Sequence, residues 1–259
     1  MQFPFPAISK LPALLDATNW SWKRPSSHNR RIGIKSEWWI GVDEEGVEWL
    51  VKMRGSDKAS REHTFSKLAQ RLGISCQSSS YLLIPSPQAP PRLHKPHAEG
   101  CQLALCLINE HAPTHCSSDC PLSSVFGKGL TDEVIRSAEL RAGFNHQDLV
   151  KASVLGFLCG QLEPSEFILT RGHKYVVIDN ELMFGGGPCL LDYGWFQSSD
   201  RQAIALEVCR MVLEIPDEEL AMIVMPPRRY KVSSNKDLEV HLLAAKSEAE
   251  RYMNKYNHA

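Results

Sequence analysis

One stretch constrains the fold more than any other. An apolar, helix-like run from Ala152 to Cys159 leads into the polar segment Gln161-Leu162-Glu163-Pro164-Ser165-Glu166. Two short β-rich runs follow, Phe167-Ile168-Leu169 and Val176-Val177-Ile178, with a turn at Arg171-Gly172 between them and Asp179 closing the second. A buried helix, a polar loop and a hairpin in direct succession require helix and sheet to meet at that loop, which places three carboxylates and an amide on or beside it.

The chain before this point is β-rich. Trp38-Trp39-Ile40-Gly41-Val42, the acidic turn Asp43-Glu44-Glu45-Gly46 and Val47 to Met53 read as a hairpin. Phe65, Leu68, Ala69 and Leu72 then fall at i, i+3, i+4, i+7, which predicts an amphipathic helix over 60–72 with Gly73 as its C-cap. A third β run, Tyr81 to Ile84, stops at Pro85, and the proline-rich stretch to Pro96 reads as an exposed loop. Gln102 to Ile108 suits a strand connecting two lobes, and His111 to Lys128 is a second loop region. The remainder reads as helices over 131–141, 145–158, 201–213, 217–225 and 236–256, with Asp217, Glu218 and Glu219 in a dipole-favoured first turn. The expected architecture is α+β and bilobal: an N-terminal β-rich lobe over 1–108, a mainly helical lobe over 109–259, and a cleft between them.

Composition narrows the function classes. Apolar residues make up 43% of the 259 and charged residues 23%, as in an ordinary globular protein. A formal net charge of -1 speaks against general nucleic-acid binding and against an anionic membrane surface. No apolar run approaches the ~18–20 residues needed to span a bilayer. Met1 to Leu15 holds three prolines and no basic leader, so it does not read as a signal peptide. A cytoplasmic location with eight reduced cysteines is the expectation. His111, His115, Cys116 and Cys120 mix zinc-ligand types, but adjacent His115-Cys116 suits one tetrahedral site poorly and no C-x-x-C pair supports it. That segment reads as a loop with incidental thiols.

Lys52 lies near the end of a predicted strand among Leu50, Val51 and Met53, so it either snorkels outward or reaches a partner in the cleft. The predicted helix opens with Arg61-Glu62, and Glu62 could be that partner. A strand lysine held by a helix glutamate is a recurrent phosphate clamp. Taken alone, Lys52 reads more simply as an edge-strand lysine facing solvent.

Taken together, "GIKSEWWIGVDEEGVEWLVKMRG", "REHTFSKLAQRLGIS", "FLCGQLEPSEFIL", "KYVVIDNELMF" and "LEIPDEELAMIVMPP" resemble the HipA-like kinases and, more distantly, the phosphatidylinositol kinases, over about residues 30–226. The resemblance implies a kinase-like fold, ATP and Mg²⁺ as cofactors, and a protein or other hydroxyl as acceptor. Members carry a strand Lys, a helix ending in Leu-Gly-Ile, a D-R-H-x-x-N catalytic loop and an Ile-Asp whose acid binds metal. With the metal-binding acid set at Asp179, the loop asparagine falls thirteen positions earlier at Glu166, the loop histidine at Glu163 and the catalytic aspartate at Gln161. All three loop positions depart from the family.

The chemistry of each departure differs. Asp179 can hold Mg²⁺, and Glu166 can ligate it with one more methylene of reach than asparagine. Gln161 cannot accept a proton, so it is no general base. Glu163 could take that role, although two residues along an extended loop move a side chain by ~6–7 Å. Asp192, in Leu191-Asp192-Tyr193-Gly194, resembles Asp-Phe-Gly and is the rival metal ligand. Gly185-Gly186-Gly187 stands where a kinase activation loop would, and reads more simply as a turn. Trp38, Trp39 and Trp49 are expected in the core or on the cleft wall, where one could cover an adenine ring. Two functions are implied: a HipA-like phosphotransferase whose partners are a nucleotide and a protein substrate, or a pseudokinase serving as a nucleotide-binding or protein-interaction module. HipA-like proteins often work beside a DNA-binding antitoxin partner, which no residue here specifies.

Overall fold

The computed structural model describes residues 14–26, 38–84, 90, 100–106, 146–161, 166–169, 175–178, 180–190, 196, 199–225 and 236–257. The predicted helix over 131–141 and the loops over 91–96 and 111–128 lie outside them, as do His111, His115, Cys116 and Cys120.

The predicted hairpin is present as β3 (Trp39–Val42) and β4 (Glu48–Gly55), paired antiparallel from Trp39 opposite Val51 to Val42 opposite Glu48. Asp43 fixes its turn. The Asp43 carboxylate accepts the backbone N–H of Glu45 and Val47, and its second oxygen accepts the Trp49 indole N–H at 2.9 Å. The hairpin belongs to a sheet with β1 (Leu14–Asp16), β2 (Ser21–Lys23), β5 (Ser79–Leu83) and β6 (Gly100–Cys106), in the order β1-β5-β6-β4-β3-β2. β1 runs parallel to β5, and the other neighbours are antiparallel. β4 is therefore central, between β3 and β6.

Alternation along β4 divides its side chains between two environments. Trp49 and Val51 join Ala17, Trp20 and Leu82 in a small cluster on one face, with Trp20 stacked on Trp49 at 6.0 Å. Leu50 and Lys52 point to the other face, which α1 (Ser56–Arg71) covers. This helix begins four residues before the predicted Ser60. Ser56, Asp57 and Lys58 are polar and give no apolar period to read, yet Asp57 suits a first turn. Glu62 consequently sits in the second turn rather than at the helix opening.

The end of α1 is as predicted. Gly73 has φ 66, its N–H donates to the Gln70 carbonyl, and the Ile74 N–H reaches back to the Ala69 carbonyl at 2.8 Å. This is a Schellman ending, which needs the left-handed residue that glycine supplies without strain.

The main core is not confined to the helical half. Phe65, Leu68, Ala69 and Leu72 of α1 pack with side chains of α2 (His146–Leu158), β8 (Tyr175–Ile178), α3 (Ser199–Leu213), α4 (Asp217–Val224) and α5 (Lys236–Asn257). Each fully buried large side chain contributes on the order of 1.5–3 kcal/mol of hydrophobic free energy. α1 thus binds the helices with its apolar stripe while its polar face meets the sheet. Arg71 at its end also forms a bidentate pair with Glu219 of α4, at 2.5 and 3.1 Å. No helix among the described residues is long and apolar enough to cross a membrane.

Candidate functional site

Lys52 is not the solvent-facing edge lysine that its sequence context allowed. Its strand is central, opposite Leu103 of β6, and the residue is 5% exposed. Taking an ammonium out of water costs several kcal/mol unless a counter-charge compensates. Glu62, 1% exposed, supplies it, with its carboxylate 3.9 Å from Lys52 Nζ. The Trp38 ring lies 5.0 Å from the same ammonium. A buried cation is therefore held between a carboxylate and an aromatic face. The other tryptophans serve elsewhere: Trp39 receives the Arg24 guanidinium, and Trp49 is buried against Trp20.

The hairpin anticipated after the polar loop is β7 (Glu166–Leu169) with β8, in the register Glu166 opposite Ile178. Glu166 thus opens one strand beside the close of the other, and Asp179 follows in sequence. The side chain of Glu166 and the whole of Glu163, Asp179 and Asp192 lie outside the described residues. β8 is tied to the chain leaving α1, with Val177 N–H donating to Ser75 O at 3.1 Å and Gln77 N–H to Val177 O at 2.8 Å. The 3₁₀ turn Asn180–Leu182 is held to α1 by the Lys58–Glu181 pair at 3.0 Å. Lys58 lies one turn before Glu62 on the same helix face. α1 therefore bears on the sheet lysine and on the segment just after residue 179.

Gln161 leaves the end of α2. Gly160, φ 63, gives that helix the same Schellman ending as α1, with the Gln161 N–H donating to the Gly156 carbonyl at 3.1 Å. The carbonyls of Phe157, Cys159 and Gly160 accept N–H groups from Cys189, Phe184 and Gly186 at 3.1, 2.7 and 3.0 Å. The helix-end carbonyls are thereby satisfied by the glycine-rich segment, which the sequence alone presented as a plain turn. Phe184, buried at φ 59, is held in a left-handed conformation unusual for an aromatic residue.

The sequence reading missed the buried polar groups that α1 turns towards β5. Tyr81 donates its hydroxyl hydrogen to Ser60 Oγ at 3.2 Å; the His63 ring packs 4.7 Å from that of Tyr81, and its Nδ1 is 3.3 Å from Ser79 Oγ. Polar letters at Ser60, His63 and Ser66 within a helix otherwise buried were the available signal. Burial, reinforced by the charge of Lys67 and opposed by a hydrogen bond to the Ser79 backbone, lowers the His63 pKa from 6.5 to about 3. Unfolding lets this imidazole take up a proton below pH 6.5, so its neutrality costs nothing above that pH and stability is lost as the pH falls towards 3. Between pH 6.5 and pH 5 the expected loss from this group is on the order of 1–2 kcal/mol. Urea unfolding at both pH values should show it in the wild type and not in His63→Leu.

No family model matches the chain, and no curated protein matches it by sequence. Among solved structures it is similar to the Helicobacter pylori proinflammatory kinase CtkA, at 10% identity and a TM-score of 0.52, over 93% of this chain and 95% of that one. The Golgi casein kinase with Mn/ADP bound matches at 10% identity over 84% and 68% of the two chains, with a TM-score of 0.44. An aminoglycoside phosphotransferase from Alicyclobacillus acidocaldarius matches at 12% identity over 87% and 92%, with a TM-score of 0.29. At such identities the likeness speaks of fold alone, and it rests on the first of these. An N-terminal sheet with one helix laid across it, followed by a helical region, gives this chain a protein-kinase-like α+β fold.

Proposed function

We propose that the protein is an ATP-dependent, Mg²⁺-assisted phosphotransferase, a kinase homologue of the HipA-like group that acts on a protein or another hydroxyl. The observation that carries this reading is the buried Lys52–Glu62 pair, joining a central strand to the helix behind it on a kinase-like fold. Phosphoryl transfer depends chiefly on positioning and electrostatics, and such a pair fixes a positive charge in place. Lys52 would hold the nucleotide phosphates and Glu62 would hold Lys52.

The residues present fit both cofactors. A fixed ammonium suits phosphate oxygens, and the hard carboxylate donors Asp179 and Glu166 suit Mg²⁺. The pairing of Glu166 with Ile178 brings the start of β7 beside the chain position just before residue 179. When bound, Mg²⁺ would neutralise charge on the phosphates. Glu163 is the candidate general base.

Gln161 favours a second reading. An amide stands where the resembling kinases place their catalytic aspartate, so the protein could bind nucleotide without turnover and act as a regulatory pseudokinase. Labelled γ-phosphate separates the two. Turnover by the wild type, lowered at least about 100-fold by Asp179→Ala and by chelation of Mg²⁺, is the expected result. Glu163→Gln should lower it by a similar factor. Nucleotide binding without label transfer selects the pseudokinase, and activity indifferent to Asp179→Ala removes the proposed metal site.

A further inference from the structure

A helix lying on a sheet ordinarily packs through aliphatic side chains, whereas α1 meets this sheet through polar ones. Its apolar stripe is committed to the helices, so what sets its rotation against the sheet is a row of directed contacts. Ser60 Oγ accepts from Tyr81, His63 meets Ser79 and the Tyr81 ring, and Ser66 Oγ donates to the Gln77 carbonyl at 2.9 Å. Each of these side chains is buried. Tyr81 and Lys52 both stand opposite Leu103 of β6, on its two sides, and so share one cross-strand row and one face. α1 is therefore pinned at Tyr81 on the same row that presents Lys52 to Glu62.

Small rotations matter here. A carboxylate about 6 Å from the helix axis moves about 2 Å when the helix turns by about 20°. From 3.9 Å, such a movement would part Glu62 from Lys52. Directional hydrogen bonds resist that turn more sharply than aliphatic packing does, because their strength falls steeply with angle.

We propose that Tyr81 and His63 are positioning residues for the Lys52–Glu62 pair: through Ser60 and Ser79 they fix the rotation of α1, and with it the place of the ammonium. The pinning stands on the contacts themselves; its consequence for nucleotide rests on the phosphotransferase reading.

The test is a double-mutant cycle on unfolding stability, with Lys52→Met and Glu62→Gln, measured in the wild type and again in Tyr81→Phe. That last substitution keeps the ring and removes only the hydroxyl. The Lys52–Glu62 coupling should fall to about half or less in the Tyr81→Phe background. His63→Leu repeats the test from the second contact. Coupling unchanged in both backgrounds, with only overall stability reduced, overturns the proposal, since that is what a merely structural role gives. A nucleotide titration reads the consequence: affinity for ATP with Mg²⁺ should weaken on the order of fivefold in Tyr81→Phe, the worth of one hydrogen bond. Should the wild type bind no ATP, the phosphotransferase reading fails, while the stability cycle still decides the positioning role.

Discussion

Lys52→Met is expected to destabilise the folded protein by about 3–5 kcal/mol, because it leaves the Glu62 carboxylate buried beside an apolar side chain. Met nearly preserves the volume of the lysine stem, so the cost comes from the charge rather than from a cavity. Glu62 is 1% exposed and cannot turn to water without moving α1, whose apolar stripe of Phe65, Leu68, Ala69 and Leu72 is locked into the main core. Adding Glu62→Leu removes the stranded carboxylate. The double substitution Lys52→Met/Glu62→Leu should therefore recover most of the lost stability, since apolar replacements of buried ion pairs are often neutral or stabilising. Chemical denaturation of the two variants beside the wild type checks this. A pair retained for ligand binding rather than for folding predicts that pattern, with stability regained and nucleotide affinity lost together.

Gly160→Ala carries the second large effect. A Cβ at this position would lie 2.0 Å from the Gly186 carbonyl oxygen, a backbone atom, and the residue has φ +63. Left-handed backbone costs an alanine about 1–2 kcal/mol. Relieving the clash means parting the glycine-rich segment from the end of α2, at about 1–3 kcal/mol more. Gly73→Ala is the matched control: its φ is +66, but nothing lies within 4 Å of the added carbon. It should cost only about 1–2 kcal/mol, the backbone term alone. On the phosphotransferase reading, Gly160→Ala should also lower turnover beyond its effect on the amount of folded protein, because Gln161 is the next residue. Equal losses of stability in the two variants would show that the Gly160–Gly186 approach is slack.

Local patterns in the sequence carried much of the fold. The β3–β4 turn, the end of α1 at Gly73, α2, the β7–β8 hairpin and the three C-terminal helices each follow from a periodicity or a turn residue that acts over a few positions. The central place of β4 was not legible, because pairing with β6 joins residues some fifty apart, and nothing local distinguishes a central strand from an edge. For the same reason the burial of Lys52 was open in the sequence, although its partnership with Glu62 could be anticipated. The Gly160–Gly186 contact and the Tyr81–Ser60 pin depend on tertiary approach, and a glycine or a serine in sequence does not say what it will touch. Glu163, Asp179 and the side chain of Glu166 keep the roles that the HipA-like resemblance implies as proposals.

One titration bears most directly on the claim that the Lys52–Glu62 site binds nucleotide. Thermal unfolding of the wild type with ATP and Mg²⁺ raised to millimolar concentration should shift the midpoint upward, by about 5–10 °C at about a hundredfold excess over Kd. Lys52→Met/Glu62→Leu, folded but without the clamp, should shift little. No shift in the wild type at millimolar nucleotide, or an equal shift in the double variant, would contradict the account.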